Sequence, residues 1–347
     1  MSEPVMRLAR VHGPGDVRRD EVAVPRADAG EAIVRVRACG ICGSDLSYIA
    51  QGGLGGVEPL SAPLPIGHEL AGIVETVGPG VDGITPGMRV AINPDRGFIG
   101  GGGPQGGMAP FLRVTQARLN DTAFALPDHV SFEQAALAEP LSVALHALRV
   151  VKVTPADKVA VLGAGPIGLC TVAMLRSMRV QHIAIFDRVP ERLARARALG
   201  ATVACHVETD DMAAALRSAH GGGERFGAPY VDTDVFVDCA GAAAALTQAN
   251  GIAKYRARIA VVALYKKAVP LDLWRMMANE ITLSGSIADD RPAEFGAALE
   301  VIAKGTPDLT PLISHAFDFG HFDEALCVAR DPHRSAKVML TFAEDAA

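Results

Sequence analysis

Val159-Ala-Val-Leu162 runs directly into Gly163-Ala-Gly-Pro-Ile-Gly168, and a helical pattern continues from Ile167 to Met178. Strand, glycine turn and helix in that order are the setting in which G-x-G-x-x-G holds a dinucleotide. Gly163 permits the tight turn, Gly165 lets the backbone approach a pyrophosphate, and Gly168 allows close strand–helix packing. The helix N-terminus then faces the phosphate charge. A second strand candidate, His182–Phe186, is followed by Asp187, nineteen residues after Gly168. A carboxylate at that spacing accepts hydrogen bonds from ribose hydroxyls and repels a 2′-phosphate, which favours NAD over NADP. Arg188 and Arg192 stand close enough in sequence to soften that preference. A glycine turn in an unrelated α/β protein, with Asp187 a solvated strand end, is the competing reading. The combined strand, turn, helix and acidic spacing argues against it.

Around this motif the chain alternates apolar strands with amphipathic helices. Lys158–Leu162, His182–Phe186, Val235–Asp238, Ile259–Ala263 and Ile281–Leu283 read as strands, and Ile167–Met178 and Pro190–Leu199 as helices. That alternation predicts a parallel sheet with crossover helices. The first third differs. Short alternating runs, Ala32–Ala38 and Gly72–Val77, are punctuated by Gly78-Pro-Gly80 and Pro86-Gly87, as in a small β-barrel-like domain. Ser131 with Gln134 forms a capping-box signature, and Pro140 predicts a break before a second helix through Arg149. Helices Ala293–Ile302 and Phe322–Ala329 and a strand Lys337–Phe342 have no place in a nucleotide fold.

At 347 residues, two domains are expected. A net charge of −6 excludes a nucleic-acid surface of the basic-stripe kind and lends nothing to an anionic membrane. The longest apolar stretch, Val159–Leu175, is interrupted by Gly163, Gly165, Pro166 and Gly168, so no membrane helix is predicted. The first ten residues carry no apolar run of a secretory signal, and the six cysteines show no disulfide framework. A cytoplasmic protein with reduced thiols is expected.

Two glycine-bounded segments carry metal-type donors: Cys39-Gly-Ile-Cys42-Gly-Ser-Asp45 and Gly67-His68-Glu69. Thiolate and imidazole suit zinc, and a carboxylate can complete the set; Glu139, just before Pro140, is a second candidate carboxylate. Spacing alone leaves other readings open. A buried histidine is usually a core residue, and Cys39 and Cys42 have the spacing of a redox pair, although the β-rich neighbourhood is not the βαβ setting of such pairs.

Five ordered motifs narrow these readings: Gly40-Ile-Cys42-Gly-Ser-Asp45, Pro65-Ile-Gly-His68-Glu69, Gly87-Met-Arg-Val-Ala-Ile92, Glu139-Pro-Leu-Ser-Val143 and Gly163–Gly168. Together they resemble the zinc-binding medium-chain dehydrogenases, most closely the sorbitol, idonate and butanediol dehydrogenase branch. The resemblance spans essentially the whole chain. It implies an α/β protein in which a GroES-like β-rich catalytic domain (1–150 and 288–347) is split around an inserted Rossmann domain with a doubly wound parallel sheet (151–287). It also implies reversible hydride transfer between NAD and a secondary alcohol or polyol. Cys42 and His68 would be zinc ligands, Glu69 a ligand directly or through water, and Glu139 the carboxylate that replaces a cysteine ligand in this branch. Ser44 would accept the substrate proton, Ser47 would stand in the proton path, and Tyr48 would line the polyol pocket. Ile167, Asp187, Arg192, the backbone of Val262–Leu264 and that of Ser286–Ala288 would contact the cofactor.

Three departures qualify the resemblance. The stretch Asn93–Gly107, where relatives commonly bind a structural zinc, has no cysteine, so one catalytic zinc per chain is expected. Ser47 replaces a relay histidine. Ala288 and Asp289 replace the Arg–aromatic pair of sorbitol dehydrogenases, which speaks against sorbitol itself. A homodimer or homotetramer acting on a small alcohol or ketone is expected. The rival readings are a zinc-free quinone or enoyl reductase of the superfamily, which would lack the Cys/His/Glu set, and a non-enzymatic dinucleotide-binding protein.

Overall fold

Lys158–Leu162 stands at the centre of a parallel sheet and is buried on both faces along Val159–Leu162. Near-continuous apolar sequence is what a strand covered by helices on both sides requires. A computed structural model describes residues 4–54, 60–287 and 292–343 of the chain. Among them, six parallel strands run in the order Val203–His206, His182–Asp187, Lys158–Leu162, Val235–Asp238, Arg258–Val261, Thr282–Gly285. Val161 sits in register between Ile185 and Val237. The chain leaves the centre, adds two strands on one side, then returns to build the other half. The reversal between Lys158–Leu162 and Val235–Asp238 is a topological switch point, where open α/β sheets place their ligands.

Sequence patterning located five of these strands to within a few residues. Val203–His206 escaped it, as did the helix Met212–His220 and the hairpin Gly222–Arg225/Ala228–Val231. The missed strand has only four residues, and the hairpin begins in a glycine run that carries no periodicity. The missed helix does carry a start signal: Asp211 Oδ1 accepts the Ala214 backbone N–H at 2.7 Å.

A second sheet is organised by Ala32–Ile41. Glu69–Val77 pairs antiparallel along it, Phe111–Val114 pairs with its first half, and Lys337–Thr341 with its end. Register shifts at Ile33/Val34 and Val36/Ala38 turn the strand so that it serves these different neighbours. The sheet order is Ile313–Asp318, Lys337–Thr341, Ala32–Ile41, Glu69–Val77, Arg89–Ile92, Ala123–Ala125. Val34, Val36, Leu70, Val90 and Leu340 fill its interior. The C-terminal strand that had no place in the nucleotide fold, Lys337–Thr341, is thus part of this second sheet, together with Ile313–Asp318.

The chain divides into two units. One comprises Met1–Glu139, Asp289–Lys304 and Ile313–Ala347; the other comprises Pro140–Ala288 and Gly305–Leu312. The first junction falls in the opening turn of the helix Ala138–Val150 rather than after residue 150. Ser131 and Gln134 do form a capping box on the helix Phe132–Ala136, an arrangement typically worth about 1 kcal/mol. The break, however, falls at Leu137 and not at Pro140. Proline in a first turn sacrifices no hydrogen bond, because those N–H groups have no intrahelical partner.

His220, at the end of its helix, is buried, with Nδ1 2.9 Å from Thr233 Oγ1 and Nε2 unpartnered. Burial, helped by His182 and Lys158 and opposed by Asp234 and Asp232, lowers its pKa to about 4. An unfolded histidine takes its proton near pH 6.5, so this contribution to stability is complete above that pH and is lost as pH falls toward 4. The loss is at most roughly 3 kcal/mol. Denaturation of the parent and of His220→Gln at several pH values in this window should show a shallower pH slope for the variant. Equal slopes would contradict the assignment.

Candidate functional site

Cys42 follows the Ala32–Ile41 strand and is the N-cap of the helix Gly43–Gln51. Asp45, in the first turn, is fully buried. Its Oδ2 accepts the Cys42 N–H at 2.9 Å, and its Oδ1 accepts the Gly67 N–H at 3.1 Å. One carboxylate therefore ties together the two segments that carry the sequence-predicted donors. Gly67 needs φ of +92°, and a Cβ there would sit 2.6 Å from the Met108 side chain, so only glycine makes the turn that presents His68.

Among the described residues, Cys42, His68 and Glu69 form a group whose ligand atoms lie within 4.8 Å of one another. The polar atoms around it support a missing partner. Glu69 is fully buried, with Oε1 2.6 Å from Lys337 Nζ and Oε2 without a hydrogen-bond partner. His68 Nδ1 has no hydrogen bond but faces Asp45 Oδ1 at 3.5 Å as an ion-pair contact. Buried polar atoms left orphaned in this way are costly unless something binds them. Thiol, imidazole and carboxylate are a donor set that zinc accepts, so the residues fit the ion.

The local charges act in concert. Burial works against an imidazolium at His68, but the charges of Asp45 and Cys42 outweigh it and hold its pKa well above the ordinary value. Asp45 is itself pushed up by burial, against the pull of His68 and the two backbone N–H groups. Glu139, in the first turn of its helix, is buried and close enough to bear on the charge of His68, yet lies outside the three-atom group.

Ser44 Oγ is 3.3 Å from His68 Nε2, beside the cluster. Tyr48 is partly buried next to it; burial raises its pKa while the charge of His68 and a hydrogen bond with Ser44 act in the opposite sense. Ser47 Oγ accepts a hydrogen bond from Gln51 Nε2 at 2.8 Å. An amide is a poor proton shuttle, so this contact does not extend a relay. Cys39 is buried in the strand, with its thiol pKa raised by burial and by the charges of Asp45 and Glu69. That is the environment of an inert core cysteine and not of a reactive redox pair.

In the other unit the glycine turn has the geometry its sequence predicts. Gly163 has φ of +94°, and a Cβ would press on Ala240 at 3.0 Å. At Gly168 a Cβ would lie 1.9 Å from the Gly163 carbonyl oxygen, so strand and helix approach backbone to backbone. At Gly165 a Cβ would meet only the Arg192 guanidinium, at 3.8 Å, which leaves the helix N-terminus open. Asp187 holds the turn together: Oδ2 accepts the Ala164 N–H at 2.6 Å and Oδ1 the Val189 N–H at 2.9 Å. Ile167 is partly buried in the first turn of the helix.

Val262 and Leu264 follow the carboxyl end of Arg258–Val261. The Val262 N–H bonds to the Asp238 carbonyl, and Leu264 is 80% exposed. Ser286 follows Thr282–Gly285; its N–H bonds to the Val261 carbonyl and its Oγ is buried without a partner. All these residues lie at the carboxyl ends of the parallel strands. Ala288 and Asp289 lie outside the described residues.

Sequence reasoning missed three supports. Asp45 was quoted in a motif without a role. Asp238, buried at a strand end, accepts the Ala240 and Gly241 N–H groups and the Tyr265 hydroxyl, bracing the loop that Gly163 packs against. Lys337, far from Glu69 in sequence, had no local signal at all.

A GroES-like β unit and a Rossmann unit in one chain define the medium-chain dehydrogenase class. Residues 28–123 match the alcohol dehydrogenase GroES-like domain and residues 166–304 the zinc-binding dehydrogenase domain. The chain is 32% identical to (R,R)-butanediol dehydrogenase of Bacillus subtilis (strain 168) over 304 residues, 81% of this chain and 84% of that protein. It is 29% identical to the sorbitol dehydrogenase of Homo sapiens, with 88% of each covered. The crystal structure of 2R,3R-butanediol dehydrogenase from Bacillus subtilis superposes with a TM-score of 0.85 at 28% identity, covering 97% of this chain and 99% of that one. The chain belongs to the zinc-binding alcohol dehydrogenase family and is an alcohol/polyol dehydrogenase. No helix among the described residues is long and apolar enough to cross a membrane.

Proposed function

We propose that the protein uses one zinc ion per chain and NAD to interconvert a secondary alcohol, of the diol or sugar-alcohol class, and its ketone. The observation that carries the metal half is the Cys42–His68–Glu69 cluster, two half-buried donors on a fully buried carboxylate whose Oε2 has no partner. Zinc bound there would supply Lewis acidity to a substrate oxygen. The chain's own residues do the rest. Asp45 fixes the two donor segments, and Glu139 lends further negative charge. Ser44, the hydroxyl beside the cluster, takes the substrate proton at Oγ, and Tyr48 offers a polar wall for a second substrate hydroxyl.

Asp187 supports the NAD preference. It stands at the end of the second strand, and its carboxylate keeps lone pairs for ribose hydroxyls while bonding the turn. Arg192 beside Gly165 suits the pyrophosphate. A homo-oligomer is supported by the other edge of this sheet. Thr282–Gly285 is one of the two edge strands of this sheet among the described residues, and Leu273, Trp274, Met277, Leu283 and Ile287 are exposed on or near it in sequence. An unpaired edge flanked by apolar side chains invites a second copy.

Elemental analysis of metal-replete protein should give one zinc per chain, and Ser44→Ala should keep that zinc while kcat falls by roughly a hundredfold or more. Two zincs, none, or a kcat within about threefold of the parent would each refute its part of the reading. For the cofactor, kcat/KM should favour NAD, and Asp187→Asn, which removes the charge while keeping one acceptor oxygen, should narrow the gap. Equal values in the parent would overturn the carboxylate argument. Sedimentation should show an oligomer that Trp274→Glu shifts toward monomer; an unchanged oligomer would place the contact elsewhere.

A further inference from the structure

Glu69 is divided between two demands. Its Oε1 bonds to Lys337 Nζ at 2.6 Å, and the two side chains are 0% and 2% exposed, so the ion pair is closed to water. Its Oε2 has no hydrogen-bond partner, and the carboxylate as a whole supplies one oxygen to the three-residue donor group. The sheet makes this pairing possible across an intervening strand. Val338 is in register with Ile41, and Gly40 with Glu69, so Lys337 must reach past the Ala32–Ile41 strand to meet the carboxylate. Its Nζ passes 3.4 Å from the Ile41 carbonyl oxygen on the way. The Glu69 carboxylate fills the space that a side chain at position 40 would need: a Cβ on Gly40 would lie 2.1 Å from Oε2.

We propose that Lys337 is an internal cation that competes with the metal for Glu69. It keeps the carboxylate paired when the metal is absent and restrains it to a weak, one-oxygen ligand when the metal is present. The inference rests on the reading that the cluster binds a divalent ion. Its physical basis is simple. A carboxylate already neutralised by a fixed ammonium in a dry site has less charge to offer a second cation, and that ammonium also repels the ion. Lys337 is a positioning residue on this account, acting through Glu69.

The test is metal affinity, measured as Zn²⁺ competition against a chromophoric chelator and as the visible spectrum of the Co²⁺-loaded protein. Lys337→Met should lower the melting temperature of the metal-free protein. It should also bind Zn²⁺ more tightly, by roughly tenfold, and change the Co²⁺ spectrum as Glu69 coordinates fully. Mere structural damage would lower the affinity instead, so an unchanged or weaker affinity overturns the proposal. Lys337→Arg, which keeps the charge and protects against a folding failure, should bind like the parent; a tighter Lys337→Arg would refute the competition. In a Glu69→Gln background the gain from Lys337→Met should shrink to the part due to direct repulsion of the ion, and a gain as large as in the parent would refute action through Glu69. A parent that binds neither ion would overturn the proposal and the metal reading together, whereas a parent that binds with a weaker Lys337→Met overturns only the proposal.

Discussion

The Asp45 carboxylate accepts two backbone hydrogen bonds that join two separate segments of the chain. One goes to the N–H of Cys42 at the start of a helix, the other to the N–H of Gly67 in a turn that arrives from a different strand. Each bond alone would cap a local structure. Made by the same buried group, they tie the segment that carries the thiol to the turn that carries the imidazole. The burial that makes this costly for Asp45 also makes it strong, since a half-satisfied carboxylate in a dry site would be worse than none. The neighbouring pair, Glu69 and Lys337, follows the same logic one strand further on. The negative charges of these groups are offset by backbone N–H groups and one lysine.

The nucleotide-binding unit was legible in sequence because its chemistry is local. Gly163, Gly165 and Gly168 lie on one turn, and Asp187 ends the very next strand. Their roles follow from spacing that any parallel βαβ unit enforces, and the turn geometry at Gly163 and the close approach at Gly168 are those the spacing predicts. Among the elements that escaped, a four-residue strand and a glycine-rich hairpin have little periodicity to read, whereas the helix Met212–His220 carries a start signal in Asp211.

The metal-type site was legible only in part, for a physical reason. Cys42 and His68 come from strands that meet through antiparallel pairing of Ala32–Ile41 with Glu69–Val77, and pairing partners at that separation leave no trace in local composition. The donors could be named through ordered motifs, but not their supports. Lys337 lies on a strand whose apolar pattern was correctly read, yet a lysine opening a strand looks like any solvated strand end. Only the register that sets Val338 beside Ile41 reveals that its ammonium turns inward. Pro140 misled in the opposite direction: a residue that breaks helices in their interior was read as a break, whereas it lies in a first turn where the missing N–H has no cost.

The cysteine-free stretch from Asn93 to Gly107 bears directly on the same site. Its glycines let backbone approach backbone. Gly107 N–H bonds to the Gly67 carbonyl, and Gly100, with φ of +63°, lies so near Gly67 that a Cβ would sit 2.2 Å from its carbonyl oxygen. The turn that presents His68 is thus clasped by Asp45 from one side and by this glycine-rich loop from the other. A bulky or charged insertion in the loop would strain the Gly67 turn before it touched any donor atom. The run of small residues at 100–103 is better understood as part of the scaffold of His68 than as a featureless linker, because the close approach to Gly67 leaves no room for a side chain at Gly100.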